Sequence, residues 1–407
     1  MKHTKKLINS INYKPIISTY LKTLKTLKLN VTEKPAILEF PSKPQLLSYY
    51  KERLPTTLTS SILKDANALD TYLNNHTDIS HMIQNSLYNN SVPPALLNDY
   101  PNIYNYKLEF SEFLSVQIHN CIKHNITKEY NVDYGTGTLQ IYTNNKGIKY
   151  DVIRKIVARI LFFNAYLNTT KTPIFRIYAC PMKKLLPKKN SVFTPNNINT
   201  AVTDGHTILI YRSEELIKSI GHECIHFHGL DYRDNVSHIL DTSSYSVENK
   251  NGQILFFEAT TELLANLLNT IITSIENKKS VSEYINIERN FALKQKCKIL
   301  LHCGCNTWND FLSDNCNDSS KAKLVESTSV LAYFILKAQL LWNLEKLLKI
   351  IEFPNIKIDK IKAEKLAEYL ENMKTGDDKY INAVNKELKR QKSLKSRNLS
   401  LRMTILE

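Results

Sequence analysis

Apolar positions in this chain fall into runs whose spacing changes along its length. From 1 to 130 they are interrupted by polar stretches such as NNSVPPALLNDYPN around Pro93 and Pro94, and the region reads as mixed, mostly helical material whose role is not legible. Within it, YLKTLKTLKLN spaces Leu21, Leu24 and Leu27 three apart beside Lys22, Lys25 and Lys28. This is an amphipathic helix for a partner or membrane, or the first helix of the fold, and the second reading is favoured.

From 131 the pattern sharpens. Leu139 and Ile141 precede a turn at 144–147 and predict a strand. Val152, Ile153, Ile156, Val157, Ile160 and Leu161 then recur with helical period, with Lys155 and Arg159 expected on the outer face. PIFRIYACP predicts a strand at 174–179, bounded by Pro173 and Pro181. The polar stretch LPKKNSVFTPNNINTAVTDG is expected as a loop, followed by a strand at 206–211 that feeds directly into a helix. That helix is expected to open at Ser213 as N-cap, with Glu214 and Glu215 in its first turn, and to close near Gly229 as a left-handed C′ residue. A second, strongly apolar helix follows in FFEATTELLANLLNTI.

Mixed strands and helices make the expected fold class α+β. The expected organisation is a mostly helical region over 1–130, a core over 131–280, a helical subdomain over 281–385 and a basic tail over 386–407. Hydrophobic residues at 43% and charged residues at 23% supply an ordinary globular core and exclude wholesale disorder. No apolar run is long enough for a membrane helix, since the best, from Val330 to Leu336, stops at Lys337. MKHTKKLINSINYK lacks the apolar region and cleavage site of a secretory signal, so an intracellular protein is expected.

The net charge of +15 is concentrated at the ends. Residues 1–30 carry +7 and residues 386–407 carry +5, leaving +3 for the body. Such ends are solvated tails, or they hold nucleic acid or an acidic surface by releasing counterions. Seven cysteines, an odd number widely spread, point to reduced thiols rather than a disulfide framework. Cys297, Cys303, Cys305 and Cys316, with His302, form the tightest group but lack the paired spacing of a structural zinc site.

The first of the two helices carries His222-Glu223-Cys224-Ile225-His226. Histidines four apart stand one turn above each other and can chelate one Zn²⁺, while Glu223 beside them can take a proton from a water that zinc has acidified. A hydrolytic zinc site needs a third protein ligand and one open position. Position 232, six beyond His226, is Tyr232; Asp231 and Asp234 miss it, and His228 would point away from the pair. Glu258 lies 32 residues past His226 on the apolar helix, with Glu262 one turn further along the same face. Carboxylates on a buried helix need partners. Glu258 is therefore the expected metal ligand, and Glu262 the group that orients a ligating histidine.

HExxH on one helix with EATTE on the next resembles the gluzincin branch of the zincin-like metallopeptidases, with Ala259 where the common motif has Gly. More narrowly, IYRSEELIKSIGHECIHFHGLD, FEATTELLAN and ESTSVLAYFILK together resemble an uncharacterised family of peptidase-like proteins encoded by nucleocytoplasmic large DNA viruses, over roughly 137–345. The resemblance implies a zincin-like core, a small twisted sheet with the active helix beneath it, and a polypeptide substrate paired with an edge strand, either 207–211 or 174–179. It also implies a side chain that steadies the oxyanion, for which Tyr333 is the candidate by motif, with Tyr232 and His238 behind it. The expected activity is that of a zinc-dependent metalloendopeptidase in the host cytoplasm or packaged in the virion. The alternative is a catalytically silent structural or virion-associated protein of the same fold.

Overall fold

The computed structural model describes residues 12–36, 116–189, 191–234, 236–312, 323–394 and 398–406. The stretch around Pro93 and Pro94, and Cys316, lie outside them.

Strands rich in β-branched and aromatic residues build one six-stranded sheet. Helix α1 (Lys14–Thr26) leads to β1 (Asn30–Pro35), and α2 (Val116–Asn125) to β2 (Lys128–Asp133) and β3 (Thr138–Thr143). After α3 (Tyr150–Leu167) come β4 (Ile174–Tyr178), the short α4 (Pro195–Ile198), β5 (Ala201–Asp204) and β6 (Thr207–Ile210). The order across the sheet is β1-β2-β3-β4-β6-β5. β3, β4 and β6 run parallel, whereas β1, β2 and β5 are joined antiparallel. β1 and β2 draw residues before 131 into this sheet, so the expected boundary at 130 runs through β2.

The helices that follow are α5 (Leu216–Phe227), α6 (Phe256–Glu276) and α7 (Val281–His302). A π-helical turn at Leu331–Leu336 runs into α8 (Lys337–Trp342), and α9 (Leu344–Ile350), α10 (Lys360–Gly376) and α11 (Asp378–Lys392) complete the set. Two three-residue strands, β7 (Val247–Asn249) and β8 (Leu324–Glu326), pair in parallel beside them. α6 is buried almost all round, as its sequence demands, and α5 packs against it, α3, β5 and β6. Among the described residues, no helix is long and apolar enough to cross a membrane.

Helix α1 belongs to the fold: Ile16 and Tyr20 are buried and the helix packs on α3. Arg159 is not on an outer face but buried, its guanidinium 2.9 Å from Glu276 Oε1 and 3.2 Å from Oε2. The Tyr20 hydroxyl completes the cluster by donating to Glu276. Helical period cannot separate a solvated arginine from one whose partner lies 117 positions away.

The C-terminal stretch is likewise not a solvated tail. α11 packs on α7, and residues 398–406 form a strap beneath α5 in which Leu401, Met403 and Thr404 are buried. Leu401 N–H donates to Lys184 O at 2.9 Å, Asn266 Nδ2 to Met403 O at 3.2 Å, and Gln295 Nε2 to Arg402 O at 2.7 Å.

Candidate metal centre

The start of α5 departs from the expected cap. Ser213 turns back to Cys180 O, bonding it through both N–H and hydroxyl, and the helix begins only at Leu216. Glu215 stands before it in the left-handed region at φ 62°, a conformation that costs about 1 kcal/mol or more for a residue with a Cβ. What holds it there is its own carboxylate, fully buried, paired with Lys184 Nζ and accepting the N–H groups of Met403 and Thr404 at 2.6 Å. At the other end the reading from sequence holds. Gly229 has φ 60°, its N–H donates to His226 O at 3.1 Å, and Leu230 N–H donates to Ile225 O at 3.0 Å, a Schellman closure.

Between these ends α5 presents His222 and His226 on one face, where α6 brings Glu258 against them. Nε2 of His222 and Nε2 of His226 are 3.1 Å apart, and each is 3.4 Å from Glu258 Oε2. Tetrahedral ligands at about 2.0–2.1 Å from a zinc ion stand about 3.3–3.4 Å apart, so the triangle has the size that ion requires. Among the described residues, this is the group of three His, Cys, Asp or Glu side chains close enough to share an ion. Among the described residues, Cys297, Cys303 and Cys305 form no such group.

Both imidazoles are fixed from behind. Glu262 Oε2 lies 3.0 Å from His222 Nδ1, and Asp231 Oδ2 lies 2.8 Å from His226 Nδ1. Each Nδ1 is thereby committed as donor and each Nε2 lone pair is left facing the triangle. Glu262 is fully buried on α6, and Lys218 Nζ, one turn before His222, donates to its two oxygens at 2.8 and 2.6 Å. Lys337 Nζ stands 3.5 Å away on its other side. Burial alone would push the Glu262 carboxyl up, but Lys218, Lys337 and His222 outweigh it and hold it well below the usual range. Burial likewise opposes charge on His226, yet Glu258 and Asp231 prevail and raise it to about 10 when no metal is bound.

Glu223 points to the sheet. Thr203 Oγ1, on β5, donates to Glu223 Oε2 at 2.6 Å. β5 is one edge of the sheet and β1 the other, whereas 174–179 and 207–211, the two stretches expected at an edge, lie in the interior strands β4 and β6. Tyr333 on the π-helical turn is buried, and its hydroxyl donates to Glu258 Oε2 at 3.1 Å. Tyr232 turns to Asp234, and His238 is exposed, 3.8 Å from Glu364. His228 caps α5 and stacks on Phe163, where burial lowers it to about 4.

A cavity of about 30 Å³ opens between His222, Glu223, Tyr333, Lys218 and Met403, large enough for one water. Thr203, Lys218, Lys337 and the strap residue Met403 were not found from the sequence, and Asp231 was weighed only as a ligand. Lys218 alone carried a local signal, its spacing of four from His222. No family model, no curated protein and no solved structure matches the chain.

Proposed function

We propose that the chain is a zinc-dependent metalloendopeptidase of zincin-like fold. The observation that carries the reading is the triangle of His222, His226 and Glu258, of zinc dimensions, with Glu223 lining a cavity shared with His222. An antiparallel edge strand lying over the histidine helix supports the fold assignment.

His222, His226 and Glu258 would hold the ion, which when bound supplies a Lewis acid that polarises a carbonyl and lowers the pKa of water. Glu223 accepts the proton of the attacking water at a carboxylate oxygen and returns it to the nitrogen of the leaving amine. Thr203 fixes which carboxylate oxygen is free for that work. Tyr333, already pointed at the ligand oxygen of Glu258, is the hydroxyl at hand to donate to the oxyanion.

A second reading is a metal-stapled protein of the same fold that cleaves nothing. The burial of His222 and Glu223 favours it, because little of either side chain faces solvent. Zinc content and hydrolysis of a peptide library by wild type, Glu223→Gln and Glu258→Ala separate the readings. The peptidase reading expects bound zinc and turnover in wild type, zinc without turnover in Glu223→Gln, and neither in Glu258→Ala. Full turnover by Glu223→Gln, or wild type with zinc and no cleavage, defeats it.

A further inference from the structure

Two thiols meet where helix α2 packs on the end of β4. Ile118 and Ile122 of α2 join Tyr178, Leu209 and Tyr211 in a small core apart from the main one. Cys121 stands at the margin of that core, half-buried, whereas Cys180, two residues past β4, is fully buried within it. The two side chains are hydrogen-bonded, Cys180 donating to the Cys121 sulfur. Sulfurs already in contact need only close to about 2.05 Å for a bond to form between them.

Their surroundings make the two unequal. Asn125 Nδ2, one turn beyond Cys121 on α2, donates to its sulfur at 3.5 Å. The positive field of Arg212, a fully buried side chain, reaches both thiols. That guanidinium donates to Lys183 O at 3.1 Å and to Asn196 O, and among the described residues its Nε has no hydrogen-bond partner. The Cys180 thiol, aided by Asn125 and Arg212, outweighs burial and holds Cys121 below the ordinary thiol range. Cys180 moves the opposite way, kept protonated by the neighbouring sulfur and by burial. Burial also raises Cys224, Cys297, Cys303 and Cys305. A half-exposed thiolate backed by a protonated thiol is the arrangement of an attacking and a resolving cysteine.

We propose that Cys121 and Cys180 form an oxidisable dithiol whose oxidant is a peroxide, Cys121 attacking and Cys180 resolving. The Cys121 thiolate attacks one oxygen of hydrogen peroxide and the O–O bond breaks. The departing hydroxide takes up a proton as water, leaving a sulfenic acid on Cys121. Cys180 then attacks that sulfur, the S–O bond breaks, and the thiol proton leaves with the hydroxyl as a second water. Two thiols give up two electrons and one peroxide accepts them. The bridge ties α2 to the residue whose carbonyl accepts the N–H and hydroxyl of Ser213, just ahead of the histidine helix. The inference does not depend on the metal centre.

The test treats the reduced full chain with hydrogen peroxide, blocks the remaining thiols with iodoacetamide and maps the digest by mass spectrometry. Wild type is expected to lose two of its seven thiols as a Cys121–Cys180 disulfide that dithiothreitol reopens. Without peroxide, iodoacetamide at about pH 7 should label Cys121 about fivefold faster or more than Cys303, which is also half-buried. Cys180→Ser should leave on Cys121 a sulfenic acid that dimedone traps, and Cys121→Ser should leave Cys180 a free thiol. If Cys180→Ser does not fold, the wild-type disulfide map and the labelling rates decide alone. The proposal is overturned if peroxide gives no Cys121–Cys180 bridge, if Cys303 is labelled as fast as Cys121, or if Cys121→Ser leaves Cys180 as readily oxidised as before.

Discussion

Glu262 Oε2 lies 3.0 Å from Nδ1 of His222, and Lys218 Nζ, one turn back on the histidine helix, grips both oxygens of the same carboxylate. The contact joins the metal triangle to a buried set of charges in which Lys184, Lys218 and Lys337 face Glu215 and Glu262. Removing one member leaves the others charged with no water to turn to. Glu262→Ala is expected to destabilise the chain by about 3–5 kcal/mol in urea denaturation, with or without zinc. A loss below about 1 kcal/mol would show that the lysines find other partners.

Asp231 stands to His226 as Glu262 stands to His222, but it closes a turn instead of sitting in the helix bundle. Asp231→Asn should leave the melting temperature near that of wild type and weaken zinc binding about 10–100-fold in chelator competition. Unchanged affinity would remove Asp231 from the site.

In the metal-free chain, surrounding carboxylates keep a proton on His226, raised to about 10, and His222 is raised as well. A metal must displace those protons, so its affinity falls as pH falls. With His226 protonated the expected slope is about tenfold per pH unit between about pH 8 and about pH 6, and steeper wherever His222 also carries its proton. Titration calorimetry in buffers of different ionisation enthalpy counts the protons released. Zero released protons would contradict this account.

Thr203 holds Glu223 through a 2.6 Å hydrogen bond from the edge strand. In a peptide-cleavage assay, Thr203→Val should lower kcat about tenfold or more at nearly constant KM, and Thr203→Ser should recover most of the loss. Equal activity of all three would leave Thr203 a plain strand residue.

Lys296 on α7 is fully buried, with Tyr380 and Trp308 about its amine and, among the described residues, no carboxylate paired with it. Burial holds its pKa well below the ordinary value. The folded chain then binds fewer protons than the unfolded one at neutral pH, so the residue costs stability there. That cost shrinks as pH rises towards the unfolded value near 10.4. Lys296→Met is expected to raise stability by about 1–2 kcal/mol near neutrality, the gain narrowing towards about pH 10. A variant less stable than wild type at neutral pH would mean that the aromatic faces keep the amine charged at a net profit.

What the sequence made legible was local. The spacing of His222 and His226, the glycine at 229, and two glutamates one turn apart on an apolar helix each fix geometry within a few residues. The edge strand escaped because AVTD is four residues long, half-buried and embedded in polar sequence that scans as loop. The opening of α5 escaped because the backbone of Glu215 obeys its distant partners Lys184, Met403 and Thr404 rather than capping preference. Arg159 and Lys218 escaped for the same reason, since period and composition report that a side chain is charged but not who stands opposite it.

Met403 and Thr404 meet Glu215 across 188 and 189 positions of chain. A ribosome finishes the histidine helix long before it supplies the residues that fasten its lower end. During that interval the helix start has neither its backbone donors nor its lid of buried atoms, and the metal-gripping face has no settled floor. On the proposed metal reading, a fragment ending near residue 390 should take up zinc only when a peptide spanning 398–406 is added back.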